Sequence, residues 1–225
     1  MDRSNRRRIA AAFGDGTAFV AAQSTLYALG DDGENRWTYD TPGFGILPPA
    51  FDGRNVYSGT TEHDQSYAVA LDPESGEERW RVDDWTVTSF RHEDAVYVGG
   101  EHVISVTPES EENWRYTKGG RITQAPITDE MLFGSSSHGV FALRTADGSE
   151  QWRKSPPTKY ATPYAAVDGT VVLRSNDSRL FGLDAATGEQ HWTFSTSSKR
   201  IMLPEIGDGT VFAGSQNGTV YAHPL

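Results

Sequence analysis

"LFGLDAATGEQHWTF", Leu180 to Phe194, places a tight turn, Asp184-Ala185-Ala186-Thr187-Gly188, between two apolar runs, and the second run carries a tryptophan. The same pattern recurs along the chain as "LYALGDDGENRWTY", "AVALDPESGEERWRV", "VISVTPESEENWRY" and "VFALRTADGSEQWRK". The tryptophans are Trp37, Trp80, Trp114, Trp152 and Trp192, at spacings of 43, 34, 38 and 40 residues. Ahead of each lies a second unit, an acidic turn leading into a β-rich run: "GDGTAFVAA", "FDGRNVYSG", "HEDAVYVGG", "TDEMLFGSS", "VDGTVVLRS" and a sixth, "GDGTVFAGS". Four short strands at a period of roughly 40 residues are the pattern of a propeller blade.

Each repeat divides into strands A to D. In the fifth, A runs over residues 160–167, B over 170–175, C over 179–183 and D over 189–194. Asp-Gly turns the chain between A and B, because glycine accepts the positive φ of a short hairpin. Thr187-Gly188 does the same between C and D. The tryptophan then stands on the outermost strand, where its blade has no core of its own. It buries its roughly 150–250 Å² only against a neighbouring blade. Turn and tryptophan are therefore expected to form one docking device.

On these residues the chain resembles the PQQ-type, BamB-like β-propeller repeats, whose docking motif reads Ala-x-Asp-x-x-Thr-Gly-x-x-x-Trp. The second repeat matches at Ala70, Asp72, Gly76 and Trp80 with Ser75 for threonine, and the fifth at Asp184, Thr187, Gly188 and Trp192 with Gly182 for alanine. The fourth keeps Ala142, Gly148 and Trp152 and departs at Arg144 and Asp147. The first and third are one residue short, and the third lacks the glycine. With near-complete motifs, Trp80 and Trp192 are expected to matter far more to stability than the B–C loops, loss of either costing about 3–5 kcal/mol. The resemblance covers almost the whole chain and implies an all-β propeller in one domain, 1–225. Its blades would span 6–40, 44–83, 85–117, 120–154, 159–195 and 199–225, the last lacking strand D. Either six blades make up the ring, or the chain is an arc of a seven- or eight-bladed one. In both cases the sixth blade offers an open edge for self-association.

Composition narrows function. The chain of 225 residues has 31 acids against 20 bases and a net charge of -11, which disfavours nucleic acid and anionic membrane surfaces. Rich in acids and with four lysines, the chain is also similar in composition to halophile proteins. There is no cysteine, hence no disulfide framework or thiolate site. The apolar stretch after the N-terminal arginines is too short for a signal peptide, and no window is long enough for a membrane span.

Six positions stand out, each eight residues before the acid that opens strand B: Arg7, Phe44, Trp85, Arg121, Tyr160 and Arg200. All are cationic or aromatic. They lead into strand A, innermost in a propeller, and form a candidate rim at the channel mouth for a protein or small anionic ligand. Large side chains filling wedge-shaped gaps between blades explain them equally well. Lys118, Lys159 and Lys199 lie nearby. The B–C loops, among them "SSSH" at 135–138, "SNDS" at 175–178 and "SQNG" at 215–218, are a second place for binding.

Catalytic signals are weak. The six histidines are scattered, and no calcium loop, nucleophile elbow or phosphate loop occurs. Among relatives of these repeats, quinoprotein dehydrogenases bind PQQ and Ca²⁺ over a cysteine pair, and no residue here matches those ligands. The expectation is a non-catalytic scaffold or binding module without cofactor, with a PQQ/Ca²⁺-dependent dehydrogenase as the alternative.

Overall fold

The computed structural model describes residues 9–42, 45–60, 66–83, 88–92, 95–99, 102–118, 126–155, 158, 161–196, 201 and 204–225. All the regular structure among them is β. The chain divides into two compact units, Met1–Ile122 and Thr123–Leu225, each built of successive antiparallel meanders.

In the first unit, blade 1 comprises β1 (Ile9–Gly14), β2 (Thr17–Ala22), β3 (Thr25–Gly30) and β4 (Asn35–Asp40). Blade 2 comprises β5 (Ala50–Phe51), β6 (Val56–Thr60), β7 (Tyr67–Leu71) and β8 (Glu78–Asp83). Blade 3 comprises β9 (Thr88–His92), β10 (Ala95–Gly99), β11 (Val103–Val106) and β12 (Glu112–Tyr116). Strands pair in sequence order within each sheet.

In the second unit, blade 4 has β13 (Met131–Ser136), β14 (Gly139–Arg144) and β15 (Glu150–Lys154), with the single bridge Ile127–Leu132 on its A side. Blade 5 has β16 (Thr162–Val167), β17 (Thr170–Arg174), β18 (Arg179–Asp184) and β19 (Gln190–Ser195). Blade 6 has β20 (Glu205–Gly207), β21 (Thr210–Gly214) and β22 (Val220–Pro224), so β22 is the edge of a three-stranded sheet.

The turns follow from local chemistry. At Asp15-Gly16, Asp168-Gly169 and Asp208-Gly209 both central residues have positive φ, the two-residue hairpin geometry whose twist matches that of its strands. Aspartate tolerates the left-handed region better than most residues, so the acid is part of the turn and not only its neighbour. In the C–D turns, Gly76 and Gly188 donate their backbone N–H to Asp72 and Asp184 at 2.9 and 2.8 Å. The first and third turns are a residue shorter, closed by Gly33 N–H to Gly30 and Ser110 N–H to Thr107. Ser110 takes φ 77 where its counterpart Gly33 takes 81.

Burial separates the blades. Strands B and C of blade 2, β6 and β7, are buried at every position, and those of blades 3 to 5 nearly so. Both faces of such a sheet are covered, which explains the continuous apolar runs. In blade 1, β2 and β3 alternate buried with half-buried residues, and in blade 6 β22 alternates exposed with half-buried ones. These two sheets therefore bury only one face well.

Candidate functional site

The most repeated constructed feature is the seat of each tryptophan. In every complete C–D pair the tryptophan lies opposite a small residue: Ala28 and Trp37, Ala70 and Trp80, Ser105 and Trp114, Ala142 and Trp152, Gly182 and Trp192. The small residue lets the indole lie across strand C toward an aromatic ring on strand B. Ring centroids are 5.8 Å apart for Phe19 and Trp37, 5.9 Å for Tyr57 and Trp80, 5.7 Å for Tyr97 and Trp114, and 6.1 Å for Phe133 and Trp152. This B-strand aromatic is absent from the docking motif. It was visible in the sequence only as a large residue four or five positions after the acid that opens strand B.

All five C–D pairs carry a β-bulge just before the tryptophan, one extra residue on strand D. The extra residues are Arg36, Arg79, Asn113, Gln151 and His191. Two reach the start of strand B, where Arg36 donates to Thr17 Oγ1 at 2.6 Å and Arg79 to Asn55 Oδ1 at 2.7 Å. The bulge also explains why residues three apart on a strand meet. Side chains alternate with period two, yet Glu78–Arg81, Glu112–Arg115 and Glu150–Arg153 form ion pairs at 2.6, 2.6 and 3.1 Å.

The indole N–H goes to the next blade. Trp37 Nε1 donates to the Pro73 carbonyl at 2.9 Å, Trp80 Nε1 to Pro108 at 2.8 Å and Trp152 Nε1 to Ala185 at 2.9 Å. The acceptor is each time the residue three after the small one. A Cβ on Gly76 would stand 2.6 Å from the Trp37 ring, and one on Gly188 2.6 Å from Trp152. Glycine is therefore required twice, by its positive φ and by the ring lying on it. Gly148 has the same left-handed φ, 69.

The turn glycines Gly76 and Gly188 lie against the tryptophan of the preceding blade, not of their own repeat. The full motifs of repeats 2 and 5 thus serve Trp37 and Trp152, each only 8% exposed, whereas Trp80 and Trp192 are half-buried. Trp192 lies against His223 with ring centroids 4.7 Å apart, and its Nε1 is sealed from solvent with no acceptor among the described residues.

The turn acids hold turns. Asp72 Oδ1 accepts from the backbone N–H groups of Glu74 and Ser75 at 2.9 Å each, and Arg79 lies 2.5 Å from its other oxygen. The Ser75 N–H first, and then the Arg79 guanidinium, hold its pKa down at about 2. Asp184 accepts from the Thr187 N–H and hydroxyl and is also held below the usual carboxylate range, chiefly by the hydroxyl. In the B–C loops, Ser175 bonds Asp177 and Ser215 bonds Asn217, closing the loops on themselves. A concavity of about 320 Å³ lies beside Asp129, Glu130 and Arg144; at its wall Thr145 Oγ1 donates to Asp129 O at 2.8 Å and Arg144 to Gln151 Oε1 at 3.4 Å.

The candidate rim residues Arg7, Phe44, Trp85, Arg121, Tyr160 and Arg200 lie outside the described residues, as do Lys159 and Lys199; Lys118 is exposed. Among the described residues no three His, Asp or Glu side chains converge as metal ligands. No helix among them is long and apolar enough to cross a membrane.

Antiparallel blades joined by tryptophan and turn define the class, a PQQ-like β-propeller repeat protein. The chain belongs to the family described as outer membrane protein assembly factor BamB, whose profile matches residues 3–129 and 69–223. No curated protein sequence matches it. Among solved structures it is similar to BamB from Moraxella catarrhalis, with a TM-score of 0.73 and 17% identity over 96% of this chain and 71% of that one. It is also similar to the computationally designed Ika8 protein, with a TM-score of 0.80 and 15% identity over 99% of this chain and 72% of that one. At such identities these structures bear on fold alone.

Proposed function

We propose that this chain is a non-catalytic β-propeller module, a scaffold that binds a protein or a small anionic ligand and works without a cofactor. The observation that carries this is the commitment of its polar groups. Asp72, Asp184, Ser175 and Ser215 are each engaged in closing their own turns, which suits a rigid platform. Membership in a family described for outer membrane protein assembly is consistent with a protein partner. Following the sequence register, the binding face is the rim of Arg7, Phe44, Trp85, Arg121, Tyr160 and Arg200. The edge strand β22 is the place where copies would pair.

Two measurements test this. Protein incubated with PQQ and Ca²⁺ is expected to develop no cofactor absorbance and no dye reduction with alcohol or sugar substrates; turnover would establish the dehydrogenase instead. The double variant Arg121→Ala/Arg200→Ala is expected to keep its fold, to bind carboxylate-bearing ligands more weakly and to lose part of the salt sensitivity of binding. Unfolding of that variant would make the rim a packing feature.

A further inference from the structure

Blade 4 leaves open a slot that blades 1 and 2 fill. In each of those the extra residue of strand D is an arginine that reaches across strand C to the start of strand B. Arg36 donates to Thr17 Oγ1 at 2.6 Å; Arg79 donates to Asn55 Oδ1 and to the Arg54 carbonyl at 2.7 Å each, and pairs with Asp72. By register, Met131 is the counterpart of Asn55, Glu130 of Arg54, Arg144 of Asp72 and Gln151 of Arg79. Acid and base have therefore changed places. Gln151 stays on its own side of the slot, between Ser149 and Arg144. What remains is the concavity of about 320 Å³ bounded by Asp129, Glu130, Met131, Arg144, Ala146 and Gln151, a volume at the small end of ligand sites.

Two opposite charges line this space without meeting. Among the described residues the Glu130 carboxylate has neither a hydrogen bond nor an ion pair, and the Arg144 guanidinium has one hydrogen bond, the 3.4 Å contact to the neutral Gln151. Asp147, in the same turn as Arg144, accepts from the Ser149 N–H at 2.9 Å instead. Asp129 adds a second acid to the wall, so a lone anion is repelled, and a lone cation meets Arg144. Met131 and Ala146 supply apolar lining, and Met131 packs against the core that blades 4 and 5 share. We infer that the concavity binds a small zwitterion, an amino acid with an apolar side chain, its ammonium at Glu130 and its carboxylate at Arg144, whose planar guanidinium matches a carboxylate. Built on the A–B and C–D turns of one blade, this site goes beyond the rim-binding function and is tested apart from it.

The probes are leucine, isocaproate, which lacks the ammonium, and isopentylamine, which lacks the carboxylate, each titrated into isotope-labelled full-length protein. Leucine is expected to give saturable amide shifts at residues 129–131, 144–146 and 151. Each analogue is expected to bind roughly fivefold more weakly, the upper range for an exposed charge pair. Glu130→Gln is expected to remove the advantage of leucine over isocaproate, and Arg144→Gln its advantage over isopentylamine. Both side chains are exposed, so the variants are expected to keep the wild-type melting curve, and the comparison of the three probes on the parent protein needs neither variant. Absence of saturable shifts, shifts elsewhere, equal binding of all three probes, or unchanged discrimination in both variants overturns the site. Arg121→Ala/Arg200→Ala is expected to leave the leucine shifts unchanged; their loss would put leucine at the rim and overturn the concavity. Dye reduction with PQQ, by contrast, defeats the non-catalytic function whatever leucine does.

Discussion

A double-mutant cycle on Trp152 and Gly188 tests the docking seat directly. Trp152 is 8% exposed, bonded to Ala185 and packed on Phe133, so Trp152→Ala is expected to destabilise by about 3–5 kcal/mol. Gly188→Ala adds a Cβ 2.6 Å from the indole at φ 71. The left-handed backbone costs about 1–2 kcal/mol for a residue with a Cβ, and the overlap with the ring about 1–3 kcal/mol more. In the Trp152→Ala background the overlap disappears and only the backbone strain remains. The double variant should therefore be more stable than the sum of the two singles implies, by about 1–3 kcal/mol, within the range measured for residues in contact. Urea unfolding of the four proteins followed by far-ultraviolet circular dichroism gives the cycle, provided the m-values agree. Strict additivity would refute the seat, because it would mean that the glycine of one repeat does not touch the tryptophan of the one before.

Two further outcomes follow from single residues. The pKa of Asp72 is lowered to about 2 in the folded protein, so its contribution is fully present above the unfolded value near 3.9 and is lost as pH falls through 2. Because the group is largely solvated, the effect is small, and Asp72→Asn is expected to flatten the fall in melting temperature below pH 4 relative to the parent; an unchanged acid limb counts against the role of the turn acid. Ser110→Gly, at φ 77, is expected to stabilise by about 1 kcal/mol through relief of left-handed strain, measured as a higher urea midpoint; a lower midpoint would show that the serine is favoured by contacts its turn does not reveal.

The period of the tryptophans and the Asp-Gly hairpins were legible in the sequence because each rests on local chemistry. A two-residue turn needs particular residues whatever surrounds it, and an outer-strand indole is recognisable by spacing alone. The bulge was not legible, since an extra residue in strand D leaves the same spacing in every repeat and shows only against strand C. Nor was it legible that Gly76 seats Trp37 while Trp80 of the same motif goes to Pro108. That contact joins residues of successive blades, so the burial of a tryptophan depends on the next blade's turn and not on its own. Trp192 has a nearly complete motif and no acceptor among the described residues. Local sequence determined the parts of the docking device; which parts meet, and which remain open, was decided by packing between sheets, a long-range property that no single repeat encodes.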